Sequence, residues 1–173
     1  MQLDGDRIVL RRAVPADVPA LVAIRSTPEV RARWRGDDLD TDVAADLVDD
    51  DKTVLVILDR GGEVIGGISW YQETEADYRH AGIDVFLSPD VHGQGLGTDA
   101  VRTLAHHLIS DEGHHRLIID PAADNAAAIR CYTKVGFRPV GLMRQYERGP
   151  DGQWHDGLLM DLLADELTRG DGR

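Results

Sequence analysis

Apolar residues change their spacing several times along the chain, and each change predicts an element. In "RIVLRRA" (Arg7 to Ala13) alternating and β-branched apolar residues read as a strand. "PADVPALVAIRS" then sets Val18, Leu21 and Val22 at helical spacing. Thr27 ahead of Pro28 predicts the cap of a short helix. Thr41 predicts the cap of another, with Val43, Leu47 and Val48 turned inward. "TVLVILD" and "EVIGGISWY" flank "RGG" as the arms of an antiparallel hairpin. In the next strand, "HAGIDVFLS", Ile83, Val85 and Leu87 face one way and His80, Gly82, Asp84 and Phe86 the other. A helix from Thr98 to about Ile109 follows, with Val101, Leu104, Ala105 and Leu108 on one face. "RLIID" is a short strand. Asp124 or Asn125 caps a further helix that ends near Gly136, a left-handed cap. "FRPVGLMRQYERG" and "WHDGLLMDLL" close the chain as two strands around "GPDG". Strands come both in runs and separated by helices, which predicts an α+β fold: a mixed sheet with helices on both faces.

Length and charge narrow the picture. At 173 residues the chain fits one domain, placed at residues 1–167, with a frayed tail from Thr168 to Arg173. There is no apolar run of about 18 residues to span a membrane, and "MQLDGDRIVLRR" does not read as a secretion signal. Cys131 is the only cysteine, so an internal disulfide is excluded. These features predict a cytoplasmic protein, either monomer or homodimer. The net charge of −12 opposes nucleic-acid binding and favours cationic small molecules. Eight aspartates between Asp37 and Asp51 read as a solvated acidic helix. His114 and His115 lack a second cluster at metal-ligand spacing, so they read as a polar loop and no metal is expected.

"HGQGLGT", from His92 to Thr98, sits between a predicted strand and a predicted helix. Such a place offers free N–H groups and the positive end of a helix dipole, and suits an anion. A P-loop needs Gly-Lys followed by Ser or Thr, which is absent here. The dinucleotide fingerprint separates its last two glycines by two residues, whereas Gly95 and Gly97 are separated by one. A plain glycine-rich turn is the alternative. Downstream, "DNAAAIRCYTKVGF" puts Asn125, Ala128 and Tyr132 on one helix face, a track for a thin ligand. Tyr132 could equally be a core tyrosine.

Together, "IDVFLSPDVHGQGLGTDAVRTL" and "DNAAAIRCYTKVGF" resemble the GCN5-related N-acetyltransferases. That family has Gln or Arg, two residues, Gly, one residue, then Gly or Ala at this place. Gly95 and Gly97 match, whereas His92 departs. The resemblance implies a mostly antiparallel mixed sheet that splays between the fourth and fifth predicted strands, those of Asp84 and Asp120. It implies acetyl-coenzyme A as co-substrate. The pyrophosphate would lie on His92, Gly93, Gln94, Gly95, Leu96, Gly97 and Thr98. Pantetheine would pair with the main chain of Val85, Phe86 and Leu87 and lie beside Asn125, Ala128 and Tyr132. Transfer would be direct, with Asp84 and Tyr132 as the catalytic pair and no acetyl-cysteine at Cys131.

Within the family, "WYQETEADYRHAGID", "IIDPAADNAAAIRCY" and "GLGT" are similar to the aminoglycoside 6′-N-acetyltransferases. Trp70, Tyr71, Glu73, Asp84 and Asp120 then become candidates for binding a polycationic sugar, with carboxylates for ammonium groups and flat faces for rings. Trp70 and Tyr71 could instead be sheet aromatics, Glu73 a solvated loop residue, and Asp120 a turn cap. Asp84 lies mid-strand among apolar residues, where an unpaired carboxylate is costly outside a cleft. The C-terminal "GLMRQYERGPDGQWHDGLLMDLL" looks more like members that acetylate protein α-amines or polyamines, and a non-catalytic sensor of acetyl-coenzyme A is a third possibility.

Overall fold

The computed structural model describes residues 1–167. Eight strands make up its sheet: β1 (Gln2–Asp4), β2 (Ile8–Arg12), β3 (Lys52–Asp59), β4 (Val64–Glu73), β5 (His80–Leu87), β6 (Arg116–Ile119), β7 (Arg138–Arg148) and β8 (Trp154–Leu163). Five helices accompany them: α1 (Val18–Arg25), α2 (Pro28–Arg31), α3 (Leu39–Val48), α4 (Leu96–Ser110) and α5 (Ala126–Val135). The strands lie in the order β1-β2-β3-β4-β5-β6-β8-β7. All neighbours are antiparallel except β5 and β6, which run parallel.

Both faces of the sheet are covered, and β3 shows this in three consecutive residues. Leu55 and Ile57 join the larger core with Val101, Leu104 and Leu108 of α4 and Val135 of α5. Val56, between them, packs on the other face with Leu21 of α1 and Val43 of α3. The alternation is the period-two pattern of a strand buried on both sides.

The sheet opens where function is expected. β5 and β6 share two register pairs, Ala81 with Leu117 and Gly82 with Ile118. Beyond Ile119 comes Asp120-Pro121, and proline has no N–H to extend a ladder. The chain there follows β8 instead: Leu158 N–H donates to the Pro121 carbonyl at 2.9 Å, and Ala123 N–H to the Asp156 carbonyl at 2.9 Å. The second half of β5 is left without that neighbour, and Asp84 lies just past the parting.

Some expectations change. β1 has one apolar residue, Leu3, and no local signal. Its connection to β2 is held from a distance, because the Asp99 carboxylate in α4 accepts the N–H groups of Asp6 at 3.1 Å and Arg7 at 2.7 Å. Asp38, not Thr41, caps α3: its carboxylate accepts Thr41 N–H at 3.3 Å and the Thr41 hydroxyl at 2.8 Å. Val48 is exposed rather than turned inward, because the helix ends there with only Leu39 and Val43 fully buried. Asn125, not Asp124, caps α5 by accepting Ala128 N–H at 3.2 Å. The tail expected to fray lies outside the described residues.

Candidate active site

The glycine loop turns on two left-handed residues, Gly93 at φ +75° and Gly95 at φ +81°. A Cβ on either would meet open space, so backbone conformation, not crowding, demands glycine there. Gly97 is different: a Cβ there would come 2.9 Å from Leu87 Cδ1, so its bareness lets α4 start against the end of β5. The first helical bond runs from Asp99 N–H to the Gly95 carbonyl at 3.1 Å. The N–H groups of Leu96, Gly97 and Thr98 precede it at the positive end of the helix.

From this loop a groove of about 250 Å³ follows Val85, Phe86 and Leu87 of β5 and the face of α5 that carries Asn125, Ala128, Cys131 and Tyr132. His92 lines it and braces the loop, its Nε2 3.1 Å from the Leu87 carbonyl oxygen. Gln94 does not line it; its side chain turns back to donate to the Asp90 carbonyl at 3.2 Å. Thr98 donates to Cys131 Sγ at 3.3 Å, and burial pushes that thiol up, which makes it a poor nucleophile.

A second cavity, a cleft of about 520 Å³, opens at the strand parting. Asp84, Asp120, Tyr71, Tyr146 and Glu147 line it, and Trp34, Val85, Asn125 and Tyr132 belong to both cavities. Asp84 is open to solvent through the cleft, but the surrounding walls displace much of its water. That desolvation, then the field of Asp120, pushes it up to about 6, with Lys52 pulling the other way and Glu147 and Asp46 adding to the rise. Tyr71 packs on Gly82, where a Cβ would fall 2.2 Å from its Cζ. Tyr132 is nearly buried, and burial, reinforced by Cys131, Asp84 and Asp120, holds its phenol protonated far above the ordinary range. Tyr146 is held protonated chiefly by its hydrogen-bonding interaction with Asp120 and then by desolvation.

Comparison with known proteins agrees with this geometry. The family model of the GNAT acetyltransferase domain matches residues 7–138. The chain belongs to the GNAT acetyltransferases. It is 39% identical over 103 residues to a kanamycin resistance protein of Rhizobium radiobacter, covering 59% of this chain and 89% of that one. It is 39% identical over 87 residues to aminoglycoside N(6′)-acetyltransferase type 1 of Klebsiella pneumoniae, covering 50% of this chain. The match spans 41% of that relative's length. Among solved structures, RimJ of Mycobacterium smegmatis in complex with CoA-disulfide superposes with a TM-score of 0.85 at 23% identity, over 98% of this chain and 90% of that one. The members of this family are acetyltransferases that use acetyl-coenzyme A. The glycine loop and the groove beyond it fit that molecule, with N–H groups for phosphate and a narrow track for pantetheine.

The GNAT frame also shows which sequence candidates the structure brings together. Tyr71, Asp84, Asp120 and Tyr132 meet in the cleft. Trp70 does not: it is 8% exposed in the core, edge-on to His114 with ring centroids 6.2 Å apart, because it points to the opposite face of β4 from Tyr71. Glu73 sits at the end of β4, outside the cleft lining, and accepts Glu75 N–H at 2.8 Å. His114 is buried rather than part of a polar loop. Among the described residues no His, Cys, Asp and Glu group could hold a metal, and no helix is long and apolar enough to cross a membrane.

Sequence reasoning missed Trp34, Tyr146 and Glu147. Trp34 packs edge-on to Phe86 at 5.2 Å. It is held by buried Arg25, whose guanidinium lies 5.5 Å from its ring centroid and donates to the Arg35 carbonyl at 2.6 Å. The lone tryptophan of "RARWRG" could have been noticed as an aromatic flanked by arginines beside an acidic stretch. Tyr146 and Glu147 gave no signal of their own, because a break in strand register aims them.

Proposed function

We propose that this GNAT enzyme acetylates the 6′-amine of aminoglycosides by direct transfer between two substrates bound at once. The observation that carries the reading is the junction of the two cavities at Val85, Asn125 and Tyr132, with carboxylates and aromatic rings on the acceptor side. A polyamine sugar suits Asp84, Asp120 and Glu147 as ammonium partners and Tyr71 and Trp34 as flat faces for its rings. Arg33 also lines the cleft, but its charge is engaged by Asp124.

The co-substrate supplies an activated acetyl group. Asp84 holds the ammonium and takes its proton, either directly or through water. A carboxyl near 6 is better matched to that task than an ordinary aspartate. The freed amine attacks the carbonyl carbon, main-chain N–H groups near Val85 and Phe86 stabilise the oxygen, and the carbon–sulfur bond breaks, the sulfur leaving as thiolate while the nitrogen gives its second proton to solvent. Tyr132 keeps its proton too firmly to surrender it, so its phenol acts as a hydrogen-bond donor to the departing sulfur.

The experiment is thiol release from acetyl-coenzyme A with kanamycin A, paromomycin, spermidine and a peptide with a free α-amine, followed by NMR of the product. Kanamycin A carries a 6′-amine and should be acetylated there. Paromomycin carries a 6′-hydroxyl and should compete without turnover, since it leaves the Asp84 carboxylate unpaired. Comparable turnover of paromomycin removes the 6′ assignment. Turnover of spermidine or the peptide, with no aminoglycoside accepted, moves the enzyme to another acceptor class. Binding of acetyl-coenzyme A with no acceptor at all would indicate a sensor.

A further inference from the structure

β7 and β8 pair in three registers, and the second shift is the larger. Met143 faces Gly157, and Glu147 faces His155, so Arg144, Gln145 and Tyr146 stand opposite Asp156 alone. The excess residues bulge, and bulges re-aim side chains at the rims of sites. At the centre is Gln145 with φ 49°, the sole non-glycine residue with positive φ among the described residues. A glutamine gains nothing locally from that conformation, so something must hold it there. What holds it is the Asp156 side chain, whose Oδ1 accepts Gln145 N–H at 2.8 Å.

The consequences reach the cleft. Just past the bend, Tyr146 and Glu147 line the acceptor cavity, while Asp156 does not. The Tyr146 ring lies against Gly157, where a Cβ would come 2.8 Å from its Cδ1. Asp156 also acts through its main chain, because its carbonyl accepts Ala123 N–H at 2.9 Å and so ties down the segment that follows Asp120. One residue therefore fixes Tyr146 and Glu147 relative to Asp120 from behind.

We infer that Asp156 is a positioning residue for acceptor specificity: by holding the Gln145 N–H it fixes the β7 bulge that aims Tyr146 and Glu147 at the bound amine. The inference rests on the acceptor reading above. The donor groove contains none of these residues, so its affinity should not change.

The test measures initial rates of thiol release for Asp156→Ala and Asp156→Asn with both substrates varied. Asp156→Ala should raise the KM for kanamycin A about tenfold, the scale of one charge-assisted hydrogen bond. It should leave the KM for acetyl-coenzyme A within about twofold and change kcat less than the acceptor KM. Asp156→Asn retains an oxygen that can accept the N–H and should stay close to wild type. An unchanged acceptor KM in Asp156→Ala, or an asparagine variant as impaired as the alanine one, overturns the inference. If Asp156→Ala does not fold, Asp156→Ser is too short to reach Gln145 and carries the same expectation. If wild type turns over spermidine or the peptide but not kanamycin A, the aminoglycoside reading fails and the same KM comparison is made on the accepted amine. If no amine is turned over, the Tyr146 ring resonances, assigned with Tyr146→Phe, decide. They should move in Asp156→Ala and stay in Asp156→Asn, and unmoved resonances in both overturn the inference.

Discussion

Lowering the pH from about 8 to about 5 should switch off acetylation through one carboxyl. With Asp84 near 6, about nine-tenths of the enzyme is ionised there at pH 7, half at pH 6 and about a tenth at pH 5. An ordinary aspartate near 3.9 would still be about nine-tenths ionised at pH 5. The two cases therefore differ about ninefold in rate at that pH. The assay is kcat/KM for kanamycin A at saturating acetyl-coenzyme A, which reports groups of the donor-bound enzyme and of the free drug. The logarithm of the rate should rise with unit slope to about pH 6 and then flatten, because the ammonium form of the drug remains the bound species. A slope that continues unbroken to pH 8 would mean that the enzyme waits for free amine from solution. A break that survives in Asp84→Asn would belong to another group. Either result refutes Asp84 as the proton acceptor. Stability gives a check with its own sign. Folding raises this pKa, so it favours the neutral carboxyl, and the ionised form costs stability as pH climbs from about 4 to about 6. Asp84→Asn should match the wild-type Tm near pH 4 and exceed it above pH 6. The gain should be small, since Asp84 is still open to solvent.

Three further expectations follow from the geometry. Tyr132→Phe should keep the fold and the KM for acetyl-coenzyme A while lowering kcat at least about tenfold, one hydrogen bond to the leaving sulfur; unchanged kcat across the pH range would make Tyr132 a packing residue. Gly95→Ala puts a Cβ on a left-handed residue, a strain of about 1–2 kcal/mol, and should raise the KM for acetyl-coenzyme A more than that for the acceptor in two-substrate kinetics. Buried His114 is held neutral, its pKa lowered by desolvation first and then by Arg79; wild-type Tm should therefore fall as pH drops below about 6.5, and His114→Leu should flatten that limb in a thermal melt series.

Local signals were enough for the sheet strands from β2 onward and for the glycine loop, because alternation and glycine spacing are properties of the chain itself. Asp84 was legible for the same reason, as a carboxylate among apolar neighbours. Trp70 and Tyr71 show the limit: they are adjacent and chemically alike, yet the pleat sends one into the core and the other over Gly82. Which face is the cleft face depends on where β5 and β6 part, and no local pattern states that. β1 was invisible for a related reason, since its anchor is a carboxylate more than ninety residues away. Glu147 and Tyr146 lie in a plain strand pattern and enter the site only because that strand breaks register.

The hold of Asp99 on the turn between β1 and β2 also bears on how the molecule reaches its active form. Contacts separated by 93 and 92 residues close late, because so much intervening chain must first lose its freedom. α4, whose first turn follows the glycine loop, is thus clasped by the turn between β1 and β2. Asp6 and Arg7 must await Asp99 before that clasp can form. The N-terminal end of α4 is therefore set by an encounter between distant parts of the chain, and that end should order late in folding.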